Sequence, residues 1–149
     1  MRPFFSLPTD LRVLPDGTWQ VGGRPALHGA TLRYLKAHLV PEGEGAAIVD
    51  GAQRMSIHLE GPPLQVVSLE VDARRGEVRA VLDDGLEELV KDDAIGMSKE
   101  TGRFEFAARA GTLRALLSRS AHETLLAHAG EDAGAFHIAA GERHISIRT

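Results

Sequence analysis

Two stretches of the sequence decide the fold, TLRYLKAHLVPEGEGAAIVDGAQRMSIHL at 31–59 and AHETLLAHAGEDAGAFHIAAGERHISIRT at 121–149. They align without a gap at a shift of 90 residues, and seven aligned positions are identical. Each stretch begins with apolar residues at helical spacing and ends with two short β-forming runs around a glycine. The alignment predicts an internal duplication of a helix–β-hairpin unit.

The rest of the sequence consists mainly of alternating apolar runs joined by turn residues, which is typical of antiparallel hairpins. Apolar spacing predicts one helix at about 29–40 and a longer one at 112–129, whereas 86–100 fits one helical turn and then a short strand. The expected fold class is α+β, with mainly antiparallel sheets and two helices. Residues 1–149 are expected to form a single compact domain of two related halves, about 1–60 and about 64–149.

Composition excludes several classes of protein. The formal net charge is −4 and no basic tract is present, so we expect no nucleic-acid partner. The sequence has no long apolar run and no signal-peptide pattern, and no cysteine is available for disulfides or thiolate metal sites. We therefore expect no membrane partner and a cytoplasmic location. The abundance of arginine, alanine and glycine indicates a bacterial source with a GC-rich genome.

Two motifs resemble those of a small bacterial family of unknown function. Asp16-Gly17-Thr18-Trp19, followed by Gly23-Arg24-Pro25, is similar to the family's DG-x-W and G-x-P motifs. The stretch from Arg103 to Arg119 is similar to its strand-to-helix segment, which ends in R-x-x-L-x-A-x-x-x-R. The resemblance implies an α+β fold with repeated motifs and a role in signalling. The sequence departs from the family in 59–64, where an Asp and a Phe are missing, and at 121–122.

Four arginines are the best candidates for binding a small anion or an acidic partner segment. Arg103 lies on a predicted strand, and Arg109, Arg114 and Arg119 surround the predicted start of the second helix. Backbone amides at a helix N-terminus assist anion binding. Alternatively, these arginines form local ion pairs with acidic neighbours or a solvated face.

Two histidines are candidate metal ligands. A turn at Ala140-Gly141 would place His137 directly opposite His144, about 5 Å apart at Cβ. Two imidazoles in this position could hold Zn²⁺ or Ni²⁺, although two exposed histidines on a hairpin are the simpler interpretation. Ser118 and His122 lie one helical turn apart, but no nucleophile elbow or oxyanion loop accompanies them.

The sequence therefore favours an uncharacterised, non-catalytic binding or signalling module that recognises a partner protein or a small anionic ligand. The alternative is a metal-binding protein or a hydrolase-type enzyme that uses the histidines of the second half. No cofactor is predicted apart from the divalent metal of this alternative. Exposed hairpin edges would also permit a homodimer formed by strand addition.

Overall fold

The computed structural model describes residues 10–25 and 29–148. These ranges contain three helices, α1 at Gly29–Ala37, α2 at Ala108–Gly111 and α3 at Arg119–His128, surrounded by mostly antiparallel sheets. The sheet-rich α+β class is confirmed, but the prediction of only two helices was wrong because α2 adds a single turn. No helix in the described ranges is long and apolar enough to span a membrane.

The first sheet is formed by the N-terminal part of the chain. Its strands are β1 Leu11–Val13, β2 Trp19–Val21, β3 Arg24–Pro25, β4 Leu39–Glu42, β5 Gly45–Asp50 and β6 Gln53–Leu59. The spatial order is β3-β2-β1-β6-β5-β4, with β1 parallel to β6 and the other pairs antiparallel. The hairpin predicted with Asp50-Gly51 as its turn is present, but Asp50 pairs with Gln53, so Gly51 and Ala52 form the turn and the register shifts by one residue.

The second sheet lies next in the chain. Its strands are β7 Leu64–Asp72, β8 Glu77–Leu82, β9 Glu87–Leu89, β10 Ile95–Met97, β11 Phe104–Ala107 and β12 Leu113–Leu117. Their spatial order is β10-β11-β12-β7-β8-β9, and β12 runs parallel to β7. The segment 86–100, predicted as a helical turn and a strand, instead contributes two short strands on opposite edges of this sheet.

The third sheet contains β13 Ala129–Asp132, β14 Ala135–Ala140 and β15 Arg143–Ser146. It follows α3 as the β4–β6 meander follows α1, and β4, β5 and β6 begin 90 residues before β13, β14 and β15. The strand register also corresponds, since Ile48 pairs with Met55 and Ile138 pairs with Ile145. The two units therefore share element order and register.

A single cluster of buried apolar side chains joins the sheets and the two longer helices. It includes Trp19 from the first sheet, Leu35 from α1, Val66 from the second sheet, Leu125 from α3 and Ile138 from the third sheet. Burial of each large apolar side chain contributes about 1.5–3 kcal/mol. The core therefore fixes how the surface segments around α3 lie relative to one another.

The predicted helix 112–129 was wrong over its first half. Leu113–Leu117 is strand β12, which lies between β11 and β7 with every side chain except that of Arg114 buried. A strand buried on both faces has a nearly continuous apolar run, and such a run also matches helical spacing. The helix begins only at Arg119, where the Ser118 side chain accepts a hydrogen bond from the Ala121 amide as N-cap.

The end of the first helix and the turn of the last hairpin also differ from the predictions, because strand pairing determines where each lies. The first helix ends at Ala37, not near Val40, because Leu39 already pairs with Ile48 in the sheet. In the last hairpin Ala140 pairs with Arg143, so Gly141 and Glu142 form the turn and the register shifts by one residue. Gly141 has a φ of 63°, a conformation that favours glycine.

Candidate functional site

Arg109 is held inside the fold and does not present its charge to a partner. Its guanidinium donates to Asp84 Oδ2 at 2.7 Å, to the Leu39 carbonyl at 2.6 Å and to the Lys36 carbonyl at 3.2 Å. The Asp84 side chain is completely buried. Arg109 therefore neutralises a buried carboxylate, donates to the Lys36 carbonyl in the last turn of α1, where carbonyl groups lack helical partners, and ties β4 to the same position through Leu39.

Arg114 is also committed to a contact within the chain. It lies on β12, not at a helix start, and its Nε and NH2 atoms each donate to the Glu105 carboxylate at 2.7 Å. This two-point geometry is the strongest form of an arginine–carboxylate pair. The Glu105 carboxylate raises the pKa of Arg114. The charge of Arg114 is thus largely balanced by a neighbouring strand.

The other two predicted arginines line one cavity of about 380 Å³, which we call the cationic pocket. Arg103 enters it from the segment before β11, and Arg119 from the first position of α3. Its remaining walls are Phe104, Leu117, Ser118, His122, Glu123 and Leu126. Of the four arginines indicated by the sequence, the described structure brings Arg103 and Arg119 together in this pocket.

The two arginines of the cationic pocket differ in their partners. The Arg119 Nε atom lies 3.1 Å from Glu123 Oε1, one turn along α3, and its side chain is 93% exposed. An exposed pair of this kind contributes little and opens easily. Arg103 lies beyond ion-pair distance of every described carboxylate, although its charge adds to the Thr18 hydrogen bonds that lower the pKa of Asp16, with which it lines a neighbouring cavity. Both guanidinium groups are therefore available to an anionic group from outside.

Ser118 and His122 do not form a catalytic pair in the described contacts. The Ser118 hydroxyl donates to the Val67 carbonyl at 2.8 Å and accepts from the Ala121 amide at 3.1 Å. The His122 ring packs edge-on against Phe104, with centroids 5.5 Å apart. The hydroxyl is thus occupied in capping α3, and His122 forms part of the pocket wall.

His137 and His144 lie diagonally across β14 and β15, so their predicted direct opposition was wrong. His137 pairs with Ser146, and His144 pairs with Ala139. The two rings stack with centroids 3.8 Å apart and planes 6° from parallel. Ring-nitrogen lone pairs lie in the ring plane, so one ring must turn before both can bind the same ion. The described residues contain no group of three or more His, Cys, Asp or Glu suited to a metal ion.

A larger surface feature was missed by the sequence analysis. An open groove of about 650 Å³, here called the apolar groove, lies between α3 and the segments 97–104 and 136–148. Its apolar walls are Met97, Phe104, Leu125, Leu126, Phe136 and Ile147. Leu126 offered one signal, because it directly follows Leu125 and falls outside the apolar stripe of its helix. The other walls meet only through tertiary packing.

The apolar groove and the cationic pocket are continuous. Phe104 and Leu126 line both of them. Two more basic side chains, Lys99 and Arg148, line the groove, and neither forms an ion pair within the described residues. An apolar surface is therefore bordered by four basic residues in a chain whose formal net charge is −4.

The fold defines a sheet-rich α+β protein, and two solved structures share it. One is a DUF1285 family protein from Silicibacter pomeroyi DSS-3, with a TM-score of 0.75, 22% identity, and coverage of 95% of this chain and 81% of that chain. Another is a DUF1285 family protein from Shewanella baltica OS155, with a TM-score of 0.64, 13% identity, and coverage of 81% and 92%. No family model and no curated protein matches the sequence.

Sequence identities of 22% and 13% support a shared fold and nothing more specific. The two neighbours are described as members of a domain-of-unknown-function family, which agrees with the class expected from the sequence motifs. Their descriptions name no ligand, partner or activity. Any function has to be inferred from the surface of this chain.

Proposed function

We propose that this protein is a non-catalytic binding module that takes an anionic group between Arg103 and Arg119. The ligand is a partner protein or a small anionic molecule, and the module serves in cytoplasmic signal transduction without a resident cofactor. One observation carries the proposal. Of the four basic side chains that the sequence indicated, these two line the same cavity and neither is held in a close ion pair with a buried carboxylate, whereas Arg109 and Arg114 are each paired with one.

The chemistry of the cationic pocket supports this role. Two guanidinium groups can bind a carboxylate or phosphate through paired hydrogen bonds. His122 and the first turn of α3 add further donors to the wall. Glu123 also lies in the wall, and an incoming anion would compete with it for Arg119. Binding should therefore weaken as the salt concentration rises, because exposed charges are screened.

The proposal is tested by following backbone amide resonances while inorganic phosphate or an acetylated glutamate dipeptide is added. Resonances around Arg103 and Arg119 should shift in the wild type and stay unchanged in the Arg103→Gln/Arg119→Gln variant. The matched control is Arg74→Gln/Arg75→Gln, which removes the same charge from the exposed turn between β7 and β8. Equal shifts in the wild type and in the Arg103→Gln/Arg119→Gln variant would refute the proposal.

We also infer that the two helix–meander units arose by duplication of one ancestral unit. The shared start positions and the shared register at a shift of 90 residues support this origin. The two units differ in their polar positions, for instance Ala47 against His137 and Arg54 against His144. Function would then have been acquired by the second unit, whose helix α3 borders both the cationic pocket and the apolar groove.

A further inference from the structure

We infer that the apolar groove binds an acidic amphipathic peptide segment of a partner protein. The segment's apolar residues would lie in the groove, and its acidic residues would meet the basic side chains around it. This inference rests on the proposed function, since the cationic pocket supplies part of the same surface. It adds a second site and the chemical class of the partner.

The groove is an apolar surface that the described chain leaves uncovered. Met97 is 48% exposed, Leu126 is 59% exposed and Phe136 is 42% exposed. Large apolar side chains exposed singly are common, whereas several that line one concave surface indicate an interaction site. Here all three meet in one groove together with the more buried Leu125 and Ile147.

The charges around the groove select an acidic partner. Lys99 and Arg148 line the groove itself, while Arg103 and Arg119 line the adjoining pocket. The Arg148 guanidinium is packed against Gly96, where a Cβ atom would lie 2.7 Å from the guanidinium nitrogens. Glycine at this position lets Arg148 lie along the strand β10, so its charge is held at the groove. Complementary charge on a partner fixes its orientation and accelerates its association.

The same charges argue against a second copy seated symmetrically on this face. In a two-fold interface each surface patch meets itself. Four basic side chains would then face four identical ones, and like charges across an interface cost several kcal/mol. An acidic segment from a different protein avoids this repulsion.

The open shape of the groove argues against an acyl chain. Its outermost walls remain about half exposed, so a chain that is apolar on all sides would keep one side in water. An amphipathic helix or strand buries one face and leaves its polar face in solvent. The acidic residues beside its apolar stripe can then reach the basic residues.

The experiment uses a fluorescein-labelled peptide of about 15 residues, with leucines at helical spacing i, i+3, i+4 and i+7 and glutamates beside them. A matched peptide carries lysine in place of glutamate. Fluorescence anisotropy measures binding of each peptide to the full chain. We expect the glutamate peptide to bind and the lysine peptide to bind at least about tenfold more weakly, as expected from loss of charge complementarity. Equal binding of both peptides would overturn the inference.

Two double variants locate the peptide without disturbing the core. Leu126→Ser/Phe136→Ser removes two exposed walls of the groove and should weaken binding at least about tenfold, the usual effect of losing central apolar contacts. Leu86→Ser/Leu89→Ser removes two equally exposed leucines outside the groove, at 52% and 45% exposure, and is the matched control. Its affinity should stay within about twofold of the wild type. Equal loss in both variants, or loss in neither, would contradict the groove assignment.

Other occupants would give distinct results. Sedimentation that detects self-association of the wild type, abolished by Leu126→Ser/Phe136→Ser, would identify a second copy and overturn the inference. Displacement of the peptide by laurate at submicellar concentration would identify an acyl ligand and overturn it as well. If the groove variants bind the glutamate peptide normally while the glutamate dipeptide still shifts Arg103 and Arg119, the inference fails and the proposed function stands.

Discussion

Replacing Arg109 should lower the stability of the fold and leave anion binding unchanged, because its guanidinium is paired with the buried Asp84. The Arg109→Met substitution keeps much of the side-chain length but removes the guanidinium. It would leave the fully buried Asp84 carboxylate with only the Leu86 amide, 2.9 Å away, as a hydrogen-bond donor. It would also leave the Lys36 and Leu39 carbonyls without their side-chain donor.

The magnitude follows from burial. Removing one partner of a buried ion pair typically costs about 3–5 kcal/mol, since the remaining charge is unpaired away from water. Equilibrium unfolding in urea measures this change. With an m-value of about 2 kcal/mol/M, the midpoint should fall by about 2 M. Arg109→Lys retains the charge without the fork-shaped donor set and should lie between the wild type and Arg109→Met.

Arg119→Met is the matched control, because Arg119 pairs with Glu123 at 93% and 67% side-chain exposure. An exposed pair one helical turn apart contributes about 0.3–0.5 kcal/mol, so the midpoint should hardly change. If Arg109→Met and Arg119→Met differ by less than about 1 kcal/mol, the structural role of Arg109 is refuted, since buried and exposed pairs should differ by more.

Three further predictions concern single positions. Ala110 has a φ of 58°, so Ala110→Gly should stabilise the protein by about 1 kcal/mol by relieving left-handed strain, whereas Ala127→Gly in α3 should destabilise it by a similar amount. Urea unfolding of both variants checks the opposite signs, and two changes of the same sign would contradict the α2 geometry. Hydrogen bonds from Ser56 and then Arg54 lower the pKa of Glu42, so its contribution to stability is complete above the ordinary pKa of 4.5 and disappears as the pH falls through the folded-state value. Acid unfolding of Glu42→Gln should therefore show a flatter pH dependence below that value than Glu44→Gln, and identical profiles would refute this role. Because the rings of His137 and His144 are stacked in parallel, Zn²⁺ should change the melting temperature of the wild type and of His144→Ala equally. A zinc-dependent rise found only in the wild type would demonstrate that the rings turn to share an ion.

The local parts of the fold could be predicted from the sequence. The Asp50-Gly51 dipeptide and the alternating apolar residues of β7 and β8 identify hairpins whose partners are neighbours in the chain, although the first turn lies one residue later, at Gly51 and Ala52. These elements need only short-range information, since turn chemistry and side-chain alternation determine them. The α+β class follows from the same pattern.

The central strand β12 could not be recognised in this way. It pairs in parallel with β7, so that Ala115 lies opposite Leu64, far away in the sequence. Its buried run of leucines therefore resembles one face of a helix until the partner strands are known. The close packing at Gly141 also depends on a distant part of the chain. A Cβ at this position would lie 2.3 Å from the carbonyl oxygen of Ala73, a contact that arises only in the folded chain.

The sequence indicated the candidate arginines of the site, but which of them are paired within the fold depends on contacts between distant segments. Residue type and sequence proximity indicated all four arginines, but the available ones depend on where buried carboxylates lie. Asp84 comes 25 residues before Arg109 and occupies it through tertiary contact. The apolar groove needed the same information, since Met97, Leu126 and Phe136 belong to three separate segments. Side-chain chemistry gave the candidates, and packing selected among them.

The most direct test of the binding surface is the orientation of the bound acidic peptide, measured by paramagnetic broadening of the protein's amide resonances. The probe is a glutamate–leucine peptide with all its glutamates grouped at one end and a nitroxide placed at either end. A nitroxide at the acidic end should broaden Arg103 and Arg119, while one at the leucine-rich end should broaden Phe136 in the apolar groove. Equal broadening from both positions, or broadening centred on Arg109, would contradict binding across the cationic pocket and the apolar groove.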